Sequence, residues 1–181
     1  MIYIIVGIIV LLAIYFIATY NSLVTLRNKV KDQWSQIEVL LKRRYDLIPN
    51  LVETVKGYTK HEKDTLKEVI DARNSALSAK TPEDEIKASN SVTNALNHLF
   101  ALSESYPELK ANENFLDLQK NLKETEDKIT YARQFYNDAV LSYKNKIEMF
   151  PSSLVASIFG FKAEEFFEAK EEEKENVKVK F

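Results

Sequence analysis

No cysteine occurs in the 181 residues, which excludes disulfides, thiolate metal sites and cysteine nucleophiles and leaves the redox compartment open. Three glycines and four prolines are too few for the turns that most β folds require. Those glycines, Gly7, Gly57 and Gly160, stand too far apart to build a phosphate-cradling loop. Histidine is as scarce. His61-Glu62 begins a zinc-protease motif, but Thr65 stands where the second histidine ligand belongs. A Glu-x-x-His pair of the di-iron bundles is missing too, because Tyr58 and Ala95 lie three residues before His61 and His98. Serines without a partnered histidine are not nucleophile candidates. A net charge of −2 gives no global attraction to nucleic acid. No catalytic, cofactor-binding or metal-ligating residue is therefore nominated, and neither a small-molecule substrate nor a nucleic-acid partner is expected.

Charge is also absent from Met1 to Leu26, and there the absence is itself a signal. Ile2 to Tyr20 is nearly all Ile, Val, Leu, Ala, Tyr and Phe. At about 1.5 Å per helical residue it crosses a hydrocarbon core of about 30 Å. A cleaved signal peptide would need a basic start, a shorter apolar run and a small-residue cleavage site, whereas this run begins at residue 2 and ends in Tyr-Asn-Ser-Leu. Tyr3 at one end and Tyr15, Phe16 and Tyr20 at the other suit interfacial aromatic belts. Arg27, Lys29 and Lys31 follow closely, so the positive-inside bias predicts a single-pass cell-membrane protein, N-terminus outside and C-terminal domain cytoplasmic.

After the span, Leu23, Leu26, Val30, Trp34, Ile37, Leu41, Ile48, Leu51 and Val55 follow helical, nearly heptad steps. Pro49 interrupts them and either kinks one long helix or opens a second at its first turn; the register carries across, which favours the kink. Tyr58, Leu66, Val69, Ile70 and Leu77 extend the stripe to about residue 79. Thr81-Pro82-Glu83-Asp84-Glu85 reads as a capped helix start, and that helix stops before Pro107. Asn112 or Asn114 caps the next helix, whose stripe is Phe115, Leu118, Leu122, Ile129, Ala132, Phe135, Tyr136, Ala139 and Tyr143. Pro151-Ser152-Ser153 restarts a shorter helix. The expected fold is all-α: a transmembrane anchor at 1–22, an elongated antiparallel up-and-down bundle of about four helices at 23–170, and a charged tail at 171–181.

Two groups are candidate interaction residues. Lys42, Arg43 and Arg44 form the sharpest basic cluster, suited to acidic lipid or an acidic partner. Three successive helical residues spread over about 300°, however, so a solvated face paired to Glu38 or Asp46 is the simpler reading. Leu154, Ile158, Phe159 and Phe161 lie in an uncharged segment and predict a contact surface, or else a cap on the bundle end.

Longer strings carry a family likeness: Tyr20-Asn21-x-Leu23-Val24, Trp34-Ser35-Gln36-Ile37-Glu38-Val39, and Leu41-Lys42-Arg43-Arg44-x-Asp46-Leu47-Ile48-Pro49-Asn50-Leu51-Val52 before Gly57-Tyr58. Tyr106-Pro107-x-Leu109-Lys110-Ala111-Asn112, Ala132-Arg133-Gln134-Phe135-Tyr136-Asn137 and Phe150-Pro151-Ser152 continue it. With these strings the chain resembles the LemA family along essentially its whole length. The resemblance implies an N-terminally anchored membrane protein of bacteria or archaea with a helical bundle, and it implies no activity. Family members are often encoded near TPM-domain proteins or HtpX-type membrane proteases, which points to envelope maintenance.

The leading expectation is a non-enzymatic membrane-anchored scaffold or adaptor that self-associates or joins another membrane protein through helix contacts. The competing expectations are an atypical hydrolase or metal-binding protein using His61 and Glu62, and a membrane-shaping or stress-sensing protein.

Overall fold

A computed structural model describes residues 1–59 and 62–167. The described residues contain helices and no strand: α1 (Ile2–Lys56), α2 (Lys63–Ser78), α3 (Pro82–Ser103), α4 (Pro107–Lys110), α5 (Glu113–Glu148) and α6 (Ser152–Ile158). His61 and the tail at 171–181 lie outside the described residues. The chain divides into two compact units. Among the described residues, one comprises Met1–Ile37 with Ala132–Phe166, and the other Glu38–Tyr131 with Phe167.

Helix α1 runs unbroken through Pro49. A proline has no amide hydrogen to give the carbonyl four residues back, which here belongs to Tyr45. Arg73 of α2 fills that vacancy, its Nε donating to the Tyr45 carbonyl at 2.8 Å. The helix ends instead at Lys56, so the stripe expected to continue to about residue 79 is split between α1 and α2. Glycine is a poor helix residue, and Gly57 opens the turn; Thr59, buried, closes it with amide and hydroxyl both donating to the Val55 carbonyl at 3.1 Å.

The caps follow the sequence. Thr81 Oγ1 accepts from the Asp84 amide at 3.1 Å, with Pro82 at the first helical position. Asn112 rather than Asn114 caps α5, its Oδ1 accepting from the Phe115 amide at 2.9 Å.

In the second unit the buried side chains include Leu41, Ile48, Leu51 and Val55 of α1, Val69 of α2, Val92 and Leu99 of α3, and Phe115, Leu122 and Ile129 of α5. In the first unit they include Leu23, Val30 and Ile37 of α1, Tyr136, Ala139 and Tyr143 of α5, and Val155 and Ala156 of α6. Trp34 is only half-buried and packs on Tyr136 with ring centroids 5.4 Å apart. Phe135, expected in the α5 stripe, is instead 61% exposed, because the seam of that helix steps by seven through Ile129, Tyr136 and Tyr143 and leaves Phe135 one residue off it.

Candidate functional site

The first five turns of α1 are apolar on every side and exposed on nearly every side; Ile2, Leu11 and Ile17 each keep more than 60% of their surface. This segment is long and apolar enough to cross a membrane. Burial begins at Thr19 and is complete at Leu23.

At that boundary, within the first unit, lies α6. Its buried side is Ser152, Val155 and Ala156. The other side presents three of the four sequence candidates: Leu154, Ile158 and Phe159 are all more than half exposed. Phe161, the fourth, turns back. Gly160 adopts φ +68°, and the Phe161 amide donates to the Ala156 carbonyl at 2.9 Å, a Schellman stop that only a residue tolerant of positive φ permits cheaply. The Tyr20 ring then meets Phe159 and Phe161 at centroid distances of 4.8 and 5.6 Å, and the Arg27 guanidinium lies 5.3 Å from the centre of the Phe161 ring.

The basic cluster separates into three environments. Lys42 pairs with Asp46 at 2.9 Å, four residues on, as a solvated face would, and Arg43 is exposed. Arg44 corrects that reading, because it is fully buried. Its Nη1 donates to Glu126 Oε2 at 2.7 Å and to Thr93 Oγ1 at 3.1 Å, and its Nη2 donates to Ser89 Oγ at 2.7 Å. The signal was present in the sequence. Leu23, Val30 and Ile37 are spaced by seven, and the next step lands on Arg44 before Leu51. A charge at a seam position must bring its own partners, since an unpaired buried ion is far costlier than a paired one. Glu126, Thr93 and Ser89 give no such signal, because each is read from the sequence as an ordinary polar residue. Glu126 also lines a groove of about 640 Å³ between α3 and α5, together with Leu96, Phe100 and Leu122.

Both described members of the histidine motifs have hydrogen-bond partners. Glu62 accepts from the Tyr106 hydroxyl at 2.9 Å, and that bond, with burial, raises the Tyr106 phenol above its ordinary range. His98 Nδ1 lies 3.1 Å from Glu68 Oε1 on an exposed flank. Among the described residues no three His, Cys, Asp or Glu side chains gather as a metal site would need.

The model of the LemA family matches residues 33–181. The chain belongs to the LemA family. Among curated relatives, this LemA-family chain is 28% identical to the magnetosome protein MamQ 2 of Paramagnetospirillum magneticum, covering 89% of its own length and 70% of that protein. It is 27% identical to the magnetosome protein MamQ of Magnetospirillum gryphiswaldense over the same shares. With the protein LemA of Metamycoplasma hominis it shares 28% identity over 90% of this chain and 74% of the relative. None of these names states a reaction.

Proposed function

We propose that this LemA-family protein is a non-enzymatic scaffold or adaptor of the cell membrane. Residues 1–22 cross the bilayer once, N-terminus outside, and residues 23–170 form an antiparallel up-and-down bundle of about four helices in the cytoplasm, ending in a charged tail at 171–181. The scaffold assembles through helix contacts with its own copies or with another membrane protein, and it serves envelope maintenance. One observation carries this reading: α1 is a single helix that changes from apolar on all faces to apolar on one seam, so the anchor and the core are the same element. Arg27, Lys29 and Lys31 support the orientation.

Membranes washed with alkaline carbonate should retain the full-length protein, and crosslinking in those membranes should give a discrete oligomer or one recurrent membrane-protein partner. Release into the wash would remove the anchor. A reporter fused after Phe181 that works only outside the cytoplasm would invert the topology, and only monomers under exhaustive crosslinking would end the scaffold reading.

A further inference from the structure

We propose that the uncharged segment Met149–Phe161 is a second membrane contact, seated in the headgroup–acyl boundary of the leaflet from which α1 emerges. It rests on the reading that residues 1–22 span the bilayer. The occupant of its exposed face is lipid.

Depth follows from the aromatic contacts. Ile2 to Tyr20 covers roughly 28 Å of helix at about 1.5 Å per residue, which is close to the hydrocarbon thickness of about 30 Å. Tyr20 therefore stands at the interface, and its ring touches Phe159 and Phe161. Helix α5 leads into the other end of the segment from alongside α1. Tyr136 packs on Trp34, and seven residues on, Tyr143 senses the charge of Arg27, seven residues back along α1. Helix α5 continues past Tyr143 only to Glu148, so the segment begins where that run ends, beyond the Tyr143–Arg27 level and on the side toward Tyr20.

Surface chemistry follows from exposure. Met149, Phe150, Leu154, Ile158 and Phe159 are 64%, 80%, 53%, 67% and 55% exposed, and no charge interrupts them between Glu148 and Lys162. Five large exposed apolar side chains in one short segment are unfavourable in water. This patch is continuous with the exposed apolar surface of α1, whose solvent is already lipid under the span reading. The mixed signs just beyond it, Glu148, Lys162, Glu164 and Glu165, favour apolar insertion over attraction to anionic lipid.

The chain has no native cysteine, so single-cysteine variants of the full-length protein can carry a nitroxide in phosphatidylcholine vesicles. Paramagnetic resonance then compares collision with oxygen, which enters lipid, and with a nickel chelate, which stays in water. The ratio of oxygen to nickel collisions at Ile158→Cys should lie several-fold above that at Val39→Cys, an exposed position of the second unit, and below that at Leu11→Cys in the span. A label at Ile158 open to nickel would place the segment in water and overturn the inference. Protection from both reagents would place it against protein, a second copy included, and overturn it too. Were Leu11→Cys itself open to nickel, the span reading would fail and take the inference with it, whereas a lipid-exposed Leu11 beside a wet Ile158 would sink the inference alone.

Discussion

The two apolar stretches of α1 are made of the same residue types and arranged differently. Between Ile2 and Ile17 apolar side chains occupy every face and almost none is buried. Between Leu23 and Val55 the buried ones fall along one seam, while Lys31, Asp32, Val39, Lys42 and Arg43 lie exposed on the other faces. A helix that is apolar all round cannot turn a hydrophobic side away from water, so its stability depends on an apolar solvent. A seam needs only neighbouring helices. Periodicity, more than hydrophobicity, therefore separates the part of this helix that is apolar enough to cross a membrane from the part that makes a core.

The largest effect that can break this comparison comes from the same substitution in both stretches. Leu41→Ala, at a site with no exposed surface, should lower the unfolding free energy of the detergent-solubilised full chain by about 2–5 kcal/mol. Leu11→Ala, at a site 68% exposed, should change it by no more than about 0.5 kcal/mol. Equal losses would mean that Leu11 is packed against protein, and the distinction between the stretches would collapse.

A second test concerns the one charge admitted to the seam. The Arg44 side chain is 1% exposed and that of Glu126 32% exposed, so the two partners are not equivalent. Glu126→Ala strands a buried guanidinium and should cost about 3 kcal/mol. Arg44→Met fills similar volume, lets Glu126 turn to water, and leaves Thr93 able to donate to the Ser89 carbonyl at 3.1 Å. Its cost should stay below about 1.5 kcal/mol. Thermal unfolding of both variants decides the order, and a larger loss for Arg44→Met would mean that the pair drives folding rather than merely fitting it.

Legibility in the sequence followed the range of each interaction. Caps and helix starts at Thr81, Pro82, Asn112 and Pro151 are set within one turn, and they were readable. Register alone favours the continuation of α1 through Pro49; what satisfies the freed carbonyl, Arg73, lies on another helix, beyond the reach of local sequence. The break after Lys56 was hidden because the apolar register runs past Gly57. Of the candidate surface residues, Leu154, Ile158 and Phe159 are exposed as a contact needs, while Phe161 is folded back by a glycine conformation that spacing does not encode. Adjacency to Lys42 and Arg43 masks Arg44 in the sequence, although it alone of the three falls on the seven-residue step.

The smallest expected effect lies in the seam of α5 and is read by pH. Tyr136 is 4% exposed, packs on Trp34, and donates from its hydroxyl to the Glu165 carbonyl at 2.9 Å. Burial, with the negative charges of Glu164 and Glu165 adding to it, pushes the phenol up from 10.0 to about 12. The folded protein thus holds this proton more tightly than the unfolded chain does. The resulting stability is complete below the unfolded value of 10.0 and is lost as the pH climbs through the folded value of about 12. Tyr136→Phe removes the titration together with one hydrogen bond, so near neutral pH it should cost about 1 kcal/mol. Between about pH 9 and about pH 11 the native protein should then lose about 1.4 kcal/mol more than the variant does, one pKa unit's worth. The lysines titrate in both proteins and cancel in the difference. Parallel curves over that range would mean that the Tyr136 hydroxyl reaches water, and that this seam position is wetter than the packing of Trp34 and Tyr136 requires.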